Sequence, residues 1–75
     1  MTFKALVSQL EAITNVIAVT DYNDLIELEV ANMTDESWFD LDITLEYFGA
    51  ERASENGLLY TIEIDGFECN ILIIE

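Results

Sequence analysis

Seventy-five residues with no proline and one cysteine carry sixteen Asp and Glu against two Lys and Arg, a formal net charge of −14, yet 52% of the chain is hydrophobic. That apolar content fills one core and excludes disorder driven by low hydrophobicity, so one domain over residues 1–75 is expected. The charge excludes direct binding to nucleic acid and to anionic membrane, and it favours basic surfaces. A soluble small domain needs a net charge of magnitude only about 2 to 8. The excess acidity therefore calls for a reason beyond solubility, such as a basic partner, a halophilic host or cation binding.

The chain opens with an amphipathic pattern. Phe3, Leu6, Val7, Leu10 and Ile13 recur at helical spacing, which predicts a helix over 2–15 with Thr2 as N-cap and Asn15 as terminator. Its polar side lacks the basic residues of a membrane-surface helix. Two apolar runs follow, Val16–Tyr22 and Leu25–Asn32, separated by Asn23-Asp24, a pair that tolerates left-handed backbone and predicts a tight hairpin. Pairing Tyr22 with Leu25 sets Val19 opposite Leu28 and Ile17 opposite Val30, and leaves Glu27 and Glu29 on the other face with Ala18 and Thr20.

After the polar turn Thr34–Ser37, the residues Phe39, Leu41, Ile43, Leu45 and Tyr47 alternate with Asp40, Asp42, Thr44 and Glu46. Period-two alternation predicts a central strand over 38–48 with one apolar and one acidic face. The longest connection, 49–57, holds Arg52 and has room for a short helical turn. Leu58–Asp65 and Phe67–Glu75 then form a hairpin around Asp65-Gly66, the strongest turn signal in the chain. Pairing Ile64 with Phe67 places Ile62 opposite Cys69, Tyr60 opposite Ile71 and Leu58 opposite Ile73. It also sets Glu63 opposite Glu68, a like-charge pair that costs stability.

The sum is an α+β two-layer sandwich: one N-terminal helix packed on a five-stranded antiparallel sheet, a meander in the order 1-2-3-4-5. Glu27, Glu29, Asp40, Asp42, Glu46, Glu63, Asp65 and Glu68 are expected on the uncovered face as one dense carboxylate array. Trp38 and Tyr22 are the aromatic anchors expected in a partner complex, with Trp38 packed half-buried against the turn as the equal alternative. Phe48, Leu59, Leu72 and Ile74 are expected to form an exposed apolar end. The last strand, apolar on both faces, would be an unprotected edge. Either a homodimer through that edge or the long connection folded over it would cover the strand.

Chemistry other than binding finds little in the sequence. With no histidine, the commonest general base and metal ligand is missing. Neither 21–24 nor 40–42 has the length or glycine of a dedicated calcium loop. No phosphate-binding glycine loop and no nucleophile paired with a base is present. The expectation is a protein that is not an enzyme and uses no metal or cofactor. Lone Cys69, alternating with Ile71 and Ile73, is expected to be a core hydrophobe in a reducing compartment, and without a signal peptide or membrane span the expected location is cytoplasmic.

With those carboxylates on one face of a tiny domain, the chain resembles the small acidic inhibitors encoded by bacteriophages, of which anti-CRISPR proteins and other DNA mimics are the nearest class. The resemblance lies in size, charge and architecture and in no shared motif. It implies a stoichiometric inhibitor that blocks a nucleic-acid site on a host defence complex or a DNA-processing enzyme, in the host cytoplasm. Two other functions fit the same residues. One is a self-assembling structural or accessory protein acting through Leu59, Leu72 and Ile74. The other is an immunity protein or antitoxin against a basic nuclease.

Overall fold

The computed structural model describes residues 3–75. Thr2, the expected N-cap, lies outside them. The first helix, α1 (Phe3–Glu11), is followed by β1 (Val16–Asp21) and β2 (Leu25–Val30). A second helix, α2 (Asp35–Tyr47), precedes a two-residue strand β3 (Glu51–Arg52), and β4 (Leu59–Ile64) and β5 (Phe67–Ile74) complete the chain. The class is α+β, with both helices against one face of a five-stranded sheet.

Both hairpins form in the expected register. In the first, Val19 faces Leu28, Thr20 faces Glu27 and Ala18 faces Glu29, while a bulge at Ile17 brings Val16 rather than Ile17 opposite Val30. In the second, Ile64 faces Phe67, Ile62 faces Cys69, Tyr60 faces Ile71, and Glu63 does face Glu68. Asp65 and Gly66 both have positive φ, 54° and 83°, the geometry of a type I′ turn matched to strand twist.

Residues 38–48 form a helix and not the expected central strand. Trp38, Leu41, Leu45 and Phe48 recur at intervals of three and four, and this helical stripe, rather than the alternating one, faces the core. Both ends are capped. Thr34 Oγ1 accepts the Ser37 amide at 3.1 Å, and Asp35 and Glu36 sit in the first turn, where the helix dipole favours negative charge. At the other end Gly49, with φ 85°, donates its amide to the Glu46 carbonyl, and the Ala50 amide reaches back to Leu45, a Schellman closure.

With a helix in place of the central strand, the meander gives way to the order β1-β2-β5-β4-β3, in which β5 runs parallel to β2. A parallel pair requires a crossover connection, and α2 lies in it. The expected edge strand is thereby the central one. Flanked by β2 and β4, its backbone is paired on both sides, with Ile71 and Ile73 in the core and Leu72 and Ile74 on the other face. The long connection supplies β3, which pairs with β4, and then turns over 54–57.

The core lies between the layers. Leu6, Leu10 and Ile13 from α1 and its following turn meet Leu41, Leu45 and Phe48 from α2, and Ile26, Leu28, Val30, Tyr60, Ile62, Ile64, Cys69, Ile71 and Ile73 from the sheet. Among the described residues the one buried polar side chain is Ser37, satisfied by Thr34 Oγ1 at 3.0 Å and by Asn15 Nδ2 at 3.2 Å. That contact ties the start of α2 to the turn after α1.

Candidate functional site

The sheet face away from the helices is open, and the strand registers place its side chains in rows. One row runs Ala18, Glu29, Ile74; the next runs Thr20, Glu27, Leu72, Leu59; the third runs Leu25, Asn70, Thr61, Glu51; and Glu68 with Glu63 forms the last. Leu59 pairs with Leu72 beside Ile74 to make an apolar patch, Leu59 half-buried and the other two each more than a third exposed, while half-buried Leu25 lies apart, paired with Asn70. Glu29 and Glu27 adjoin the patch on β2, and Glu51, Glu63 and Glu68 lie beyond Asn70 and Thr61. Apolar area flanked by charge is a pattern shared with protein-binding surfaces.

On one side of this face the acids close up. Glu51, Glu63 and Glu68 border a shallow cleft of about 200 Å³ with Gly49, Thr61 and Ile62. Among the described residues no group of three carboxylate or thiol side chains is placed to hold a metal ion. Strand and pleat spacing sets these carboxylates about 4.8 Å by 6.8 Å apart.

Arg52 does not offset them. It shares the parity of Tyr60, facing the helix side, and its guanidinium donates to the Ser54 carbonyl at 3.1 Å and the Glu55 carbonyl at 2.7 Å, bracing the 53–58 loop. Gly57 has φ 74° and lies where a Cβ would come within 3.1 Å of that guanidinium, so the loop packs on the arginine through its glycine.

Of the expected partner-binding residues, Glu27, Glu29, Glu63 and Glu68 come together on this face. Asp40, Asp42 and Glu46 do not. They lie on α2 in the opposite layer, because a helical repeat turns them away from the sheet. Asp42 also accepts the Tyr60 hydroxyl at 3.4 Å. Burial, that nearby charge and this hydrogen bond together raise the Tyr60 pKa, with Arg52 opposing. Asp65 sits in the hairpin turn.

Trp38 is half-buried on α2, beside Asp42, Arg52, Leu58 and Tyr60, and so is absent from the acidic sheet face. Phe48 is a core residue at the end of α2, not part of an exposed apolar end, whereas Leu59, Leu72 and Ile74 are neighbours on the open face. Tyr22 is exposed in the first hairpin turn.

Two participants escaped the sequence pattern. Leu25 was on the right parity, since pairing Tyr22 with Leu25 fixes it beside Glu27. Glu51 carried no signal, because a two-residue strand has no period to detect.

A second acidic site lies where both hairpin turns meet the start of α1. Asp21, Asp24, Asp65 and Glu68 ring a cleft of about 400 Å³ that Phe3, Ile64, Phe67 and Cys69 also line. Cys69 is a buried free thiol, and burial, with Asp21 and Asp24 nearby, pushes its pKa up, which disfavours the thiolate. Among the described residues no helix is long and apolar enough to cross a membrane. The chain matches no family model, no curated protein and no solved structure.

Proposed function

We propose that this chain is a small acidic inhibitor that occupies a Lys- and Arg-lined nucleic-acid-binding surface of another protein and blocks access to it, as the resemblance to phage-encoded DNA mimics implies. The observation that carries this is the open sheet face. There Glu27, Glu29, Glu51, Glu63 and Glu68 share one face with the apolar patch Leu59, Leu72 and Ile74, and the strand arginine Arg52 faces the other way. Glu63 directly opposite Glu68 is unfavourable to the fold itself, so its presence is better explained by a demand from outside.

Charge density supports the same conclusion. The molecule measures 33 Å along its longest axis and carries sixteen carboxylates, with acids in both layers. A DNA duplex of equal length carries about 19 phosphate charges, at one per ~1.7 Å of axis. A basic groove shaped for a duplex would meet a comparable field. Long-range attraction would steer the encounter, carboxylate to guanidinium contacts would fix register, and Leu59, Leu72 and Ile74 would supply close packing.

The test is capture of bacterial nucleic-acid-binding proteins on the tagged chain at about 50 mM and about 500 mM salt, followed by a DNA mobility-shift assay on what is captured. The expected outcome is a complex held at low salt, released at high salt, that loses DNA binding as the chain is added. The variant E27Q/E29Q/E63Q/E68Q should weaken that inhibition at least about tenfold, since each charged contact contributes roughly 1.5–3 kcal/mol. Equal inhibition by this variant, or a captured complex that still binds DNA with the chain attached, would sink the proposal. If L72K/I74K dissolves an oligomer and the glutamate variant changes nothing, the surface serves self-assembly instead.

A further inference from the structure

Helix α2 has two apolar faces, and the fold uses one of them. Leu41, Leu45 and Phe48 are buried, whereas Phe39, Ile43 and Tyr47 are 62%, 46% and 73% exposed. At about 100° per residue, Phe39 and Ile43 each point some 160° away from Leu41, so they sit at the pole of the helix farthest from the core. The three follow i, i+4, i+8 spacing and form one continuous row about 12 Å long. The Tyr47 ring meets the Phe48 ring edge-on, centroids 5.4 Å apart at 83°, which seats it against a buried side chain.

The row borders a groove of about 650 Å³ between the two helices, lined by Ala5, Gln9, Thr44 and Phe48 as well as Ile43 and Tyr47. Acids flank it on both sides. By the same helical repeat, Asp42 and Glu46 lie along one margin and Glu36 and Asp40 along the other, Asp35 heads the row itself, and α2 contains no Lys or Arg.

We propose that this outer face of α2, with the groove beside it, docks a basic amphipathic helix of a partner protein. Apolar side chains at helical spacing would cover Phe39, Ile43 and Tyr47, and flanking Lys and Arg would meet the two acidic margins. Charge selects this occupant. A second copy of the chain would bring five carboxylates against five, and a nucleic acid would be repelled outright. The site lies in the layer opposite the acidic sheet face and does not depend on that face's function.

The probe is a synthetic Leu/Lys peptide of ~14 residues with leucines at i, i+3, i+4 and i+7, long enough to form a helix on binding. Its control is an isomer of identical composition in strict Leu-Lys alternation. Titration of the isotope-labelled chain should shift the amides of Phe39, Ile43, Tyr47 and Gln9, with the helical-period peptide binding at least about tenfold tighter than the isomer. The variant F39S/I43S/Y47S, altered only at exposed positions, should keep its melting curve and lose that difference. The variant E63Q/E68Q on the sheet face should bind as the parent does. Equal affinity for both peptides, or a serine variant that binds like the parent, would reduce the effect to unspecific charge attraction and overturn the proposal. A concentration-dependent dimer of the parent that the serine variant abolishes would make a second copy the occupant, and would overturn it too.

Discussion

Residues 38–48 and residues 58–74 carry the same surface pattern, apolar and polar side chains in alternation, and yet the first is a helix and the second a hairpin. The difference lies in what bounds each segment. Asp65-Gly66 offers a turn whose two positive φ angles fold the chain back on itself, so both strands find a partner at once. The earlier segment instead starts at a Thr cap followed by Asp and Glu, and stops at a Gly that closes it. Side-chain stiffness agrees. Ile62, Ile64, Ile71, Ile73 and Ile74 are β-branched, whereas 38–48 is mostly Leu, Asp, Glu and aromatic residues with only Ile43 and Thr44 branched. Alternation over a few residues is compatible with a helix whenever the helical positions are apolar as well.

The largest test of that contrast compares two neighbours on α2. Leu45 is fully buried and Ile43 is exposed. Leu45→Ala should cost about 2–5 kcal/mol, a large part of the roughly 4–11 kcal/mol expected for a domain of this length. Ile43→Ala should change stability by less than about 0.5 kcal/mol. Urea melts of both variants decide it. A strand would put Ile43 and Leu45 on one face and make the two losses alike, so comparable costs would break the comparison.

Much of this was legible in the residues, and the illegible part has a physical cause. Both hairpins follow from local chemistry, because a two-residue turn fixes the register of every pair beyond it. The order of the strands does not. That β5 lies beside β2 is decided by long-range packing once α2 has carried the chain across, and no local pattern encodes it. The acidic face divides accordingly. Glu63 and Glu68 were placed by their hairpin, whereas Asp40, Asp42 and Glu46 inherited the period assigned to residues 38–48 and moved to the opposite layer with it. The signals for the helix were present in Thr34, Asp35, Glu36 and Gly49. They were outweighed by the alternation of Phe39, Leu41, Ile43, Leu45 and Tyr47, a pattern that owes its outer members to surface rather than core.

The cap itself gives the next largest effect. Thr34→Ala removes the acceptor for the Ser37 amide and a partner of the buried Ser37 hydroxyl, and should cost about 1 kcal/mol, within a range of roughly 0.5–2. Thr34→Ser keeps the oxygen and should restore most of it. A calorimetric Tm separates them, since about 1 kcal/mol moves the midpoint of a small domain by roughly 4–8 °C. If Ala and Ser behave alike, the helix owes its start to packing alone, and the contrast with the hairpin turn loses one of its two supports.

The smallest effect is the most informative about function, because it should have opposite signs for folding and for binding. Glu63 and Glu68 face each other across β4 and β5. Glu68→Lys converts the pair to an attraction and should stabilise the fold by about 0.2–1 kcal/mol, and Glu63→Lys should do the same. Any lysine also gains from the remaining acids, so a single variant cannot isolate the pair. The double variant Glu63→Lys/Glu68→Lys restores like charges while keeping that general gain, and the cycle of four proteins yields the coupling alone. The coupling should fade at about 1 M salt, where screening acts within ~3 Å. If the acidic face meets a basic partner, each single variant should fold better and bind worse. A pair whose reversal stabilises the fold at no cost to binding would owe its acidity to something other than that partner.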